Sequence, residues 1–209
     1  MLRTTKGLIF WACILDCNYR GKLIMVSALI AFANGSEDME ATTVASILDR
    51  GGVSVTRAAI TSDGSKVVTL SHGMKIECDK HISECNEVYD MIVIPGGLEG
   101  SKNCANCAPL VTMLKEQKAG NRYIGAICAA PGFVLAKHGL VGEAKATGYP
   151  GCSDDIKHYT NTDTYIDRDF HLVTGKGPAL SIAFGLACLE VLVPFDKVEQ
   201  VKTGMLFND

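Results

Sequence analysis

A cysteine lies where a buried strand is expected to give way to a helix. Residues 124–132 read IGAICAAPG, so Cys128 falls between an apolar run and small residues. Such a position projects from the carboxyl edge of a parallel sheet, as a hydrolase nucleophile does, although the Gly-x-Ser-x-Gly spacing is absent. The start of the next helix would lower the thiol pKa. Cys128 is therefore the candidate nucleophile, and the alternative is a small core cysteine that caps the strand.

The segment IVIPGG ends another apolar run and places Gly96 and Gly97 after a proline. Two glycines let the backbone turn tightly and present N–H groups to an anion. Together with the amide of Ala129, they would form an oxyanion hole for an attacked carbonyl. The alternative is an ordinary turn at the end of a strand.

A third segment, NGSEDME, supplies carboxylates at the start of a helix. Glu37 and Asp38 are expected to be solvated first-turn charges that suit the positive end of the helix. Glu40 is expected to face the edge of the sheet, where burial and a like-charged neighbour would raise its pKa. A carboxyl group in that state could serve as proton donor or acceptor beside Cys128.

The elements that must position these residues alternate between strand and helix. Strands are predicted at 23–32, 53–60, 89–94, 123–127, 145–148, 164–167 and 171–174, a hairpin at 66–70 and 74–78, and helices at 36–50, 109–119, 130–138 and 179–193. This alternation indicates a mostly parallel sheet with helices on both faces, in one domain over residues 25–209. Residues 1–24 lack the pattern. They are expected to be an extension outside the fold, with a weak mitochondrial presequence as the alternative.

Composition excludes several classes of protein. The 209-residue chain is 47% hydrophobic and 21% charged, with a net charge of -3, which is typical of a globular protein and not of a nucleic-acid binder. No apolar run is long enough to span a membrane, and nine scattered cysteines favour a reducing compartment. The cytoplasm is therefore the expected location. We expect no metal or cofactor site, because the only Cys-x-x-Cys lacks a partner pair and no phosphate-binding glycine loop is present.

These segments, with KHG at 137–139 and TGKGP at 174–178, resemble in order and spacing the Parkinson disease protein seven homologues of the ThiJ/PfpI superfamily. The resemblance runs from about Met25 to the C-terminus. It implies a flavodoxin-like sandwich, a homodimer, an easily oxidised Cys128 nucleophile and a protonated Glu40 hydrogen-bonded to it. It also implies that Gly96, Gly97 and Ala129 bind the anion, without any cofactor. The implied substrates are methylglyoxal, glyoxal and their early adducts on amines or thiols.

Two positions depart from the family pattern. Many members have a histidine where this sequence has Tyr149, and some have an arginine where it has His72. A phenol is a poor base at neutral pH, so Tyr149 is expected only to orient the substrate and Glu40 to transfer protons. The related peptidases carry a histidine directly after the cysteine, where this chain has Ala129. The alternative that remains open is a redox-sensing, chaperone-like protein in which oxidation of Cys128 is the function.

Overall fold

The computed structural model describes residues 25–207. Its strands are β1 (Ser27–Ala33), β2 (Ser54–Ile60), β3 (Val67–Thr69), β4 (Lys75–Glu77), β5 (Lys80–His81), β6 (Met91–Ile94), β7 (Tyr123–Ile127), β8 (Lys145–Ala146), β9 (His158–Tyr159), β10 (Thr164–Asp167) and β11 (Leu172–Gly175). Its α-helices are α1 (Asp38–Arg50), α2 (Leu98–Asn106), α3 (Ala108–Ala119), α4 (Ser181–Glu190) and α5 (Phe195–Gly204).

A seven-stranded sheet organises this part of the chain, with the strand order β10-β11-β7-β6-β1-β2-β5. Only the edge pair β10–β11 is antiparallel, and every other pair in this sheet is parallel. The chain leaves β1 toward β2 on one side and later returns to β6 on the other. The carboxyl ends of β1 and β6 therefore flank a topological switch point, where open α/β sheets bind ligands.

Strand β1 shows why the sheet has two covered faces. Its side chains alternate between two hydrophobic cores, with Ala28, Ile30 and Phe32 in one and Leu29 and Ala31 in the other. Helices α1 and α4 contribute to the first core, and α2 and α3 contribute to the second. The predicted flavodoxin-like sandwich, a mostly parallel sheet with helices on both faces, is confirmed.

Helix α1 begins two residues later than predicted, because Ser36 and Glu37 fold as a turn and a cap. The Ser36 hydroxyl accepts a hydrogen bond from the Ala33 N–H, and the Glu37 carboxylate caps the Glu40 N–H. From the sequence alone, the apolar residues of this helix give a second reason to expect dimerisation; they are Met39, Ala41, Val44, Ile47 and Leu48. That interpretation is wrong for all but Met39, because the other four are buried within the fold.

The structure also corrects the predicted helices. The segment after Cys128 is a single π-helical stretch, Pro131–Ala136, instead of an α-helix over 130–138. The predicted helix 179–193 is a 3-10 turn at Pro178–Leu180 followed by α4, and the tail that follows forms α5. Helix α2 and the short strands β5 and β9 were not predicted from the sequence. The predicted extension, residues 1–24, lies outside the described residues.

The cysteines in residues 25–207 are all free, and Cys104 and Cys188 are fully buried. Burial raises the pKa of both thiols, so neither is reactive. Within the same residues, none of the helices has the length and apolar character needed to cross a membrane.

Candidate active site

Cys128 follows β7 directly and turns the chain sharply. Its φ is +63°, in the left-handed region that non-glycine residues rarely adopt. Two hydrogen bonds hold this strained backbone: the Cys128 N–H donates to the Gly175 carbonyl at 2.9 Å, and its carbonyl accepts from the Tyr149 N–H at 2.7 Å. Strain of this kind persists where surrounding contacts determine it, and it is concentrated at functional sites. The cysteine is 8% exposed, so only a small part of it is open to solvent.

Glu40 lies on the inner side of the first turn of α1 and is fully buried. Its Oε2 accepts a hydrogen bond of 2.7 Å from the Gly96 N–H. Its Oε1 has no hydrogen-bond partner of ordinary geometry among residues 25–207. The pKa of Glu40 is raised to about 7, chiefly by burial and in smaller part by the charge of Glu37, whereas the Gly96 N–H and the Cys128 thiol oppose this rise. Near neutral pH this carboxyl can therefore both donate and accept a proton.

The pKa of the Cys128 thiol is raised, which contradicts the predicted lowering by the next helix. Burial is the largest cause and the charge of Glu40 is the second, while the Gly97 and Ala129 N–H groups oppose them. The physical reason is that burial penalises the charged thiolate and that the Glu40 carboxylate lies against the sulfur, which together outweigh the N–H groups at the turn. A proton on Glu40 removes the charge repulsion and provides an O–H donor. The reactivity of the thiol thus depends on the protonation of Glu40.

Gly96 joins α1 to the end of β6. Its carbonyl accepts the Glu37 N–H at 3.1 Å, while its own N–H is taken by Glu40. A Cβ atom at Gly96 would lie 2.5 Å from the Cys128 Cβ and 2.7 Å from the Glu40 Oε2, so no larger residue fits. The prediction that Gly96 offers its N–H to an oxyanion is therefore wrong. This residue instead brings the carboxyl to the thiol.

Gly97 and Ala129 do place their N–H groups at the Cys128 sulfur. Gly97 has a φ of +80°, and a Cβ there would lie 2.3 Å from the Gly35 carbonyl oxygen. The loops after β1 and β6 thus pack directly against each other at Gly35 and Gly97. This contact was not predicted, although the Gly35-Ser36 and Gly96-Gly97 pairs, which follow two neighbouring strands, indicate it in the sequence.

Tyr149 reaches the site mainly through its backbone, since its N–H donates to the Cys128 carbonyl. Its side chain is half exposed, and its ring lies near Gly177, where a Cβ would be 3.6 Å from the ring. No hydrogen bond of its hydroxyl is found in residues 25–207. Within residues 25–207 the Tyr149 side chain therefore has no fixed polar contact, and its backbone supports the turn at Cys128.

Glu37 and Asp38 are buried, which corrects the prediction that they are solvated. Their side chains are 10% and 9% exposed. The Asp38 Oδ2 accepts hydrogen bonds from the Ser71 hydroxyl, from the His72 N–H and at the His72 ring. Hydrogen-bond donors from the 70–73 turn thus make burial of these acids possible, and the turn comes more than 30 residues later in the sequence.

The fold and this geometry define the class: a flavodoxin-like α/β protein with a cysteine elbow paired to a buried carboxyl. The family model described as DJ-1/PfpI family matches residues 26–191. The chain belongs to this family, as its motifs predicted.

Individual relatives and solved structures of this family are similar to the chain over most of its length. The chain is 34% identical to the protein dj-1beta of Drosophila melanogaster over 186 residues, which is 86% of this chain and 96% of the relative. It is 32% identical to a Caenorhabditis elegans protein named glutathione-independent glyoxalase DJR-1.2, covering 79% and 88%. The solved structure of oxidized Toxoplasma gondii DJ-1 superposes with a TM-score of 0.84 at 34% identity, covering 88% and 100%. The chain spans about half the length of two Arabidopsis thaliana DJ-1 homologues, 47% and 40%.

Proposed function

We propose that this protein is a cofactor-independent glyoxalase and deglycase that converts small α-oxoaldehydes through Cys128. The observation that carries the proposal is the contact of a buried carboxyl, Glu40, with a strained elbow cysteine. A relative of similar length bears the name glutathione-independent glyoxalase, which supports the same chemistry. An aldehyde is electrophilic enough for a thiol nucleophile, so the reaction needs only groups that the chain itself supplies.

The first step forms a hemithioacetal. The Cys128 sulfur attacks the aldehyde carbon of methylglyoxal, and the thiol proton passes to the Glu40 carboxylate. The developing oxyanion lies near the Gly97 and Ala129 N–H groups that face the sulfur. Preorganised donors of this kind are worth roughly 3–4 kcal/mol each in comparable sites. Glu40 then returns its proton to the alkoxide and is again a carboxylate.

The second step moves hydrogen between the two carbons. Glu40 removes the proton from the former aldehyde carbon, and an enediol forms. The same carboxyl then delivers a proton to the neighbouring carbon, which produces a thioester of the 2-hydroxy acid on Cys128. Water hydrolyses this thioester, so that the net reaction adds one water to methylglyoxal to give lactate and restores the thiol. A pKa of about 7 suits a group that must act in both directions.

Early adducts of the same aldehydes on amines or thiols are substrates of the same type. Each carries the former aldehyde carbon of methylglyoxal, which now bears a hydroxyl group and the amine or thiol. The Cys128 sulfur bonds to this carbon as its bond to the amine nitrogen or thiol sulfur breaks, and the leaving amine or thiol takes up the Cys128 proton. Tyr149 is half exposed and its N–H is bonded to the Cys128 carbonyl, so its ring is available to orient the organic part of either substrate.

The test is turnover by purified protein. We expect many equivalents of lactate per protein from methylglyoxal, and loss of this conversion in Cys128→Ala. Cys107→Ala is the matched control, because Cys107 is a half-buried free thiol between α2 and α3. Lactate at no more than one equivalent, or unchanged turnover in Cys128→Ala, contradicts the proposal.

A second candidate function is redox sensing with chaperone-like activity. The observation that favours it is the low exposure of Cys128 together with two N–H groups at its sulfur, which would hold the oxygens of an oxidised thiol. The thiolate attacks hydrogen peroxide, forming a sulfenate and releasing water, and a second peroxide gives the sulfinate. Stoichiometric oxidation without aldehyde turnover, monitored by intact mass, favours this function over the first.

We propose that the protein acts as a homodimer, as the family resemblance implies. Met39 on α1 and Met74 in the turn before β4 are half-exposed apolar side chains that a second copy of the chain would cover. Sedimentation at micromolar concentration should give a species of twice 22.3 kDa. A clean monomer contradicts this part of the proposal.

A further inference from the structure

The peptide group that joins Cys128 to Ala129 is held in place by a hydrogen bond to its carbonyl. That carbonyl accepts the Tyr149 N–H at 2.7 Å. A trans peptide group is planar, so its carbonyl and its N–H point in opposite directions. The bond from Tyr149 therefore also sets the direction of the Ala129 N–H. This N–H is one of the two backbone donors that lie at the Cys128 sulfur.

A side chain of strand β11 ties down the segment 147–149, which carries the Tyr149 N–H. The Thr174 Oγ1 accepts a hydrogen bond of 2.9 Å from the Thr147 N–H. Both threonines are fully buried. A buried backbone N–H without a partner is costly, so the loss of this oxygen would force the segment to move toward another acceptor. The position of the Tyr149 N–H thus depends on the Thr174 hydroxyl.

Strand β11 also supports the amino side of Cys128. The Gly175 carbonyl, one residue after Thr174, accepts the Cys128 N–H at 2.9 Å. Strand β11 is itself paired in parallel with β7, the strand that leads into Cys128. The Thr174 hydroxyl therefore links the two supports of a residue whose φ of +63° is strained. Strained conformations persist only where their surroundings determine them in this way.

We propose that Thr174 is a positioning residue for Cys128: its hydroxyl oxygen holds the segment 147–149, so that the Tyr149 N–H keeps the Ala129 N–H directed at the sulfur. It acts through the backbone of that segment. An N–H at the sulfur stabilises the thiolate. In the reaction proposed for methylglyoxal it also stabilises the developing oxyanion, and this second effect rests on the proposed function.

The sequence separation hides this role. Thr174 and Thr147 are 27 residues apart, and neither is next to Cys128 in the chain. Thr174 is the first residue of the segment TGKGP, one of those that carry the family resemblance. The hydrogen bond to Thr147 gives that residue a function in the site.

A purely structural role for Thr174 predicts a different result from a positioning role. Cys128 is only 8% exposed, so a general loosening of its surroundings would open the thiol and speed its alkylation. Loss of an N–H donor at the sulfur would slow alkylation instead, because the thiolate is the reactive form. The direction of the change therefore separates the two roles.

The test is the rate at which iodoacetamide alkylates Cys128 at pH 8 in the full chain, followed by peptide mass mapping. Thr174→Val keeps the shape of the side chain but removes the acceptor. Its Cys128 should react about tenfold more slowly than that of the wild type, the effect of one hydrogen bond to a charged group. The kcat for methylglyoxal should fall by a similar factor with little change in KM.

Two further variants of the same residue complete the test. Thr174→Ser restores the oxygen and should return both rates to near the wild-type values. Thr174→Ala also lacks the hydroxyl, and it replaces Thr174→Val in the comparison if the valine prevents folding. Alkylation that is unchanged or faster in the variant without the hydroxyl, or a Thr174→Ser that reacts as slowly, overturns the proposal.

Thr61→Val is the matched control. The Thr61 hydroxyl donates to the Ser65 carbonyl at 2.7 Å, beyond the end of β2, and β1 and β6 separate β2 from β7. Its loss should leave the alkylation of Cys128 and kcat unchanged. A wild type that forms no lactate contradicts the proposed function alone, because the alkylation rates still decide the role of Thr174.

Discussion

Two carboxyl groups on opposite sides of the first turn of α1 have pKa values that are shifted in opposite directions. On the inner side, Glu40 faces Cys128 and its pKa is raised, mainly by burial. On the outer side, Asp38 faces His72. Burial is again the largest influence and raises its pKa, but hydrogen bonds from the His72 N–H, Ser71 and the His72 ring bring the net value below the ordinary one.

The difference shows that depth of burial and hydrogen-bond donors together decide the ionisation of an acid in this turn. Glu40 accepts one backbone N–H, from Gly96, and in each of the two carboxyl groups one oxygen has no hydrogen-bond partner of ordinary geometry within residues 25–207. Asp38 receives three donors on a single oxygen. Deep burial with few donors leaves a carboxyl that exchanges its proton near neutral pH, which suits catalysis, whereas more donors keep a carboxylate charged.

The largest expected effect tests whether the inner side is the reactive one. Cys128→Ser should reduce methylglyoxal conversion to the uncatalysed rate, because a serine hydroxyl beside Glu40 has no comparable nucleophilicity. His72→Gln, on the outer side, should leave methylglyoxal conversion unchanged. Lactate formation is the measurement. Retained conversion in Cys128→Ser would show that Cys128 and the inner side of the turn do not catalyse the reaction.

The second effect separates the two acids directly. Glu40→Gln should keep the hydrogen bond from the Gly96 N–H but slow the proton transfers by about 10²–10⁴-fold in kcat. Asp38→Asn removes a charge of the same sign two residues away and should change kcat less than tenfold. Single-turnover kinetics would distinguish loss of proton transfer from loss of binding. Equal losses in the two variants would show that charge at the helix start, and not the position of Glu40, matters.

Much of the inner side could be predicted from the sequence, because each part ends an apolar strand. The carboxyl ends of β1, β6 and β7 meet at one edge of the sheet, so Glu40, Gly97 and Cys128 were expected together. The ionisation of the thiol could not be predicted. It depends on burial and on which N–H groups remain after Glu40 has taken that of Gly96.

The outer side could not be predicted for a different reason. The contact of Asp38 with His72 depends on how a short hairpin, β3–β4, folds back over α1, and no periodicity in the sequence encodes that placement. The apolar face of α1 was wrongly interpreted as a dimer surface because the sequence does not show which helix covers it. Those positions pack against α4, where a Cβ at Gly185 would lie 2.7 Å from the Ile47 Cδ1.

The third effect is on the free energy of unfolding, whose dependence on pH should have opposite signs for Glu40 and Asp38. The pKa of Glu40 is raised from 4.5 to about 7 in the fold. Its contribution to the free energy of unfolding is therefore fully present below pH 4.5 and lost as pH rises through 7, by about 3 kcal/mol. Asp38 has a lowered pKa, so its contribution is present above pH 3.8 and lost as pH falls through the lowered value.

Denaturant unfolding of the wild type, Glu40→Gln and Asp38→Asn from pH 3 to 8 measures both sides. The advantage of the wild type over Glu40→Gln should shrink between pH 4.5 and 8, and its advantage over Asp38→Asn should shrink toward pH 3. A parallel pH profile for the two variants would show that the two carboxyls share one environment and would end the comparison.

The smallest expected effect concerns Tyr149, which borders the inner side without a polar contact of its side chain in residues 25–207. Tyr149→Phe keeps the ring beside Gly177 and the backbone N–H that supports Cys128. We expect a cost of about 0.5–1.5 kcal/mol in kcat/KM, the worth of one ordinary hydrogen bond to substrate, with KM affected more than kcat. Tyr159→Phe is the matched control, because its hydroxyl is already bonded to the Gly148 carbonyl. A hundredfold fall in kcat for Tyr149→Phe, with little change in Glu40→Gln, would transfer the proton-handling role from the buried carboxyl to the phenol.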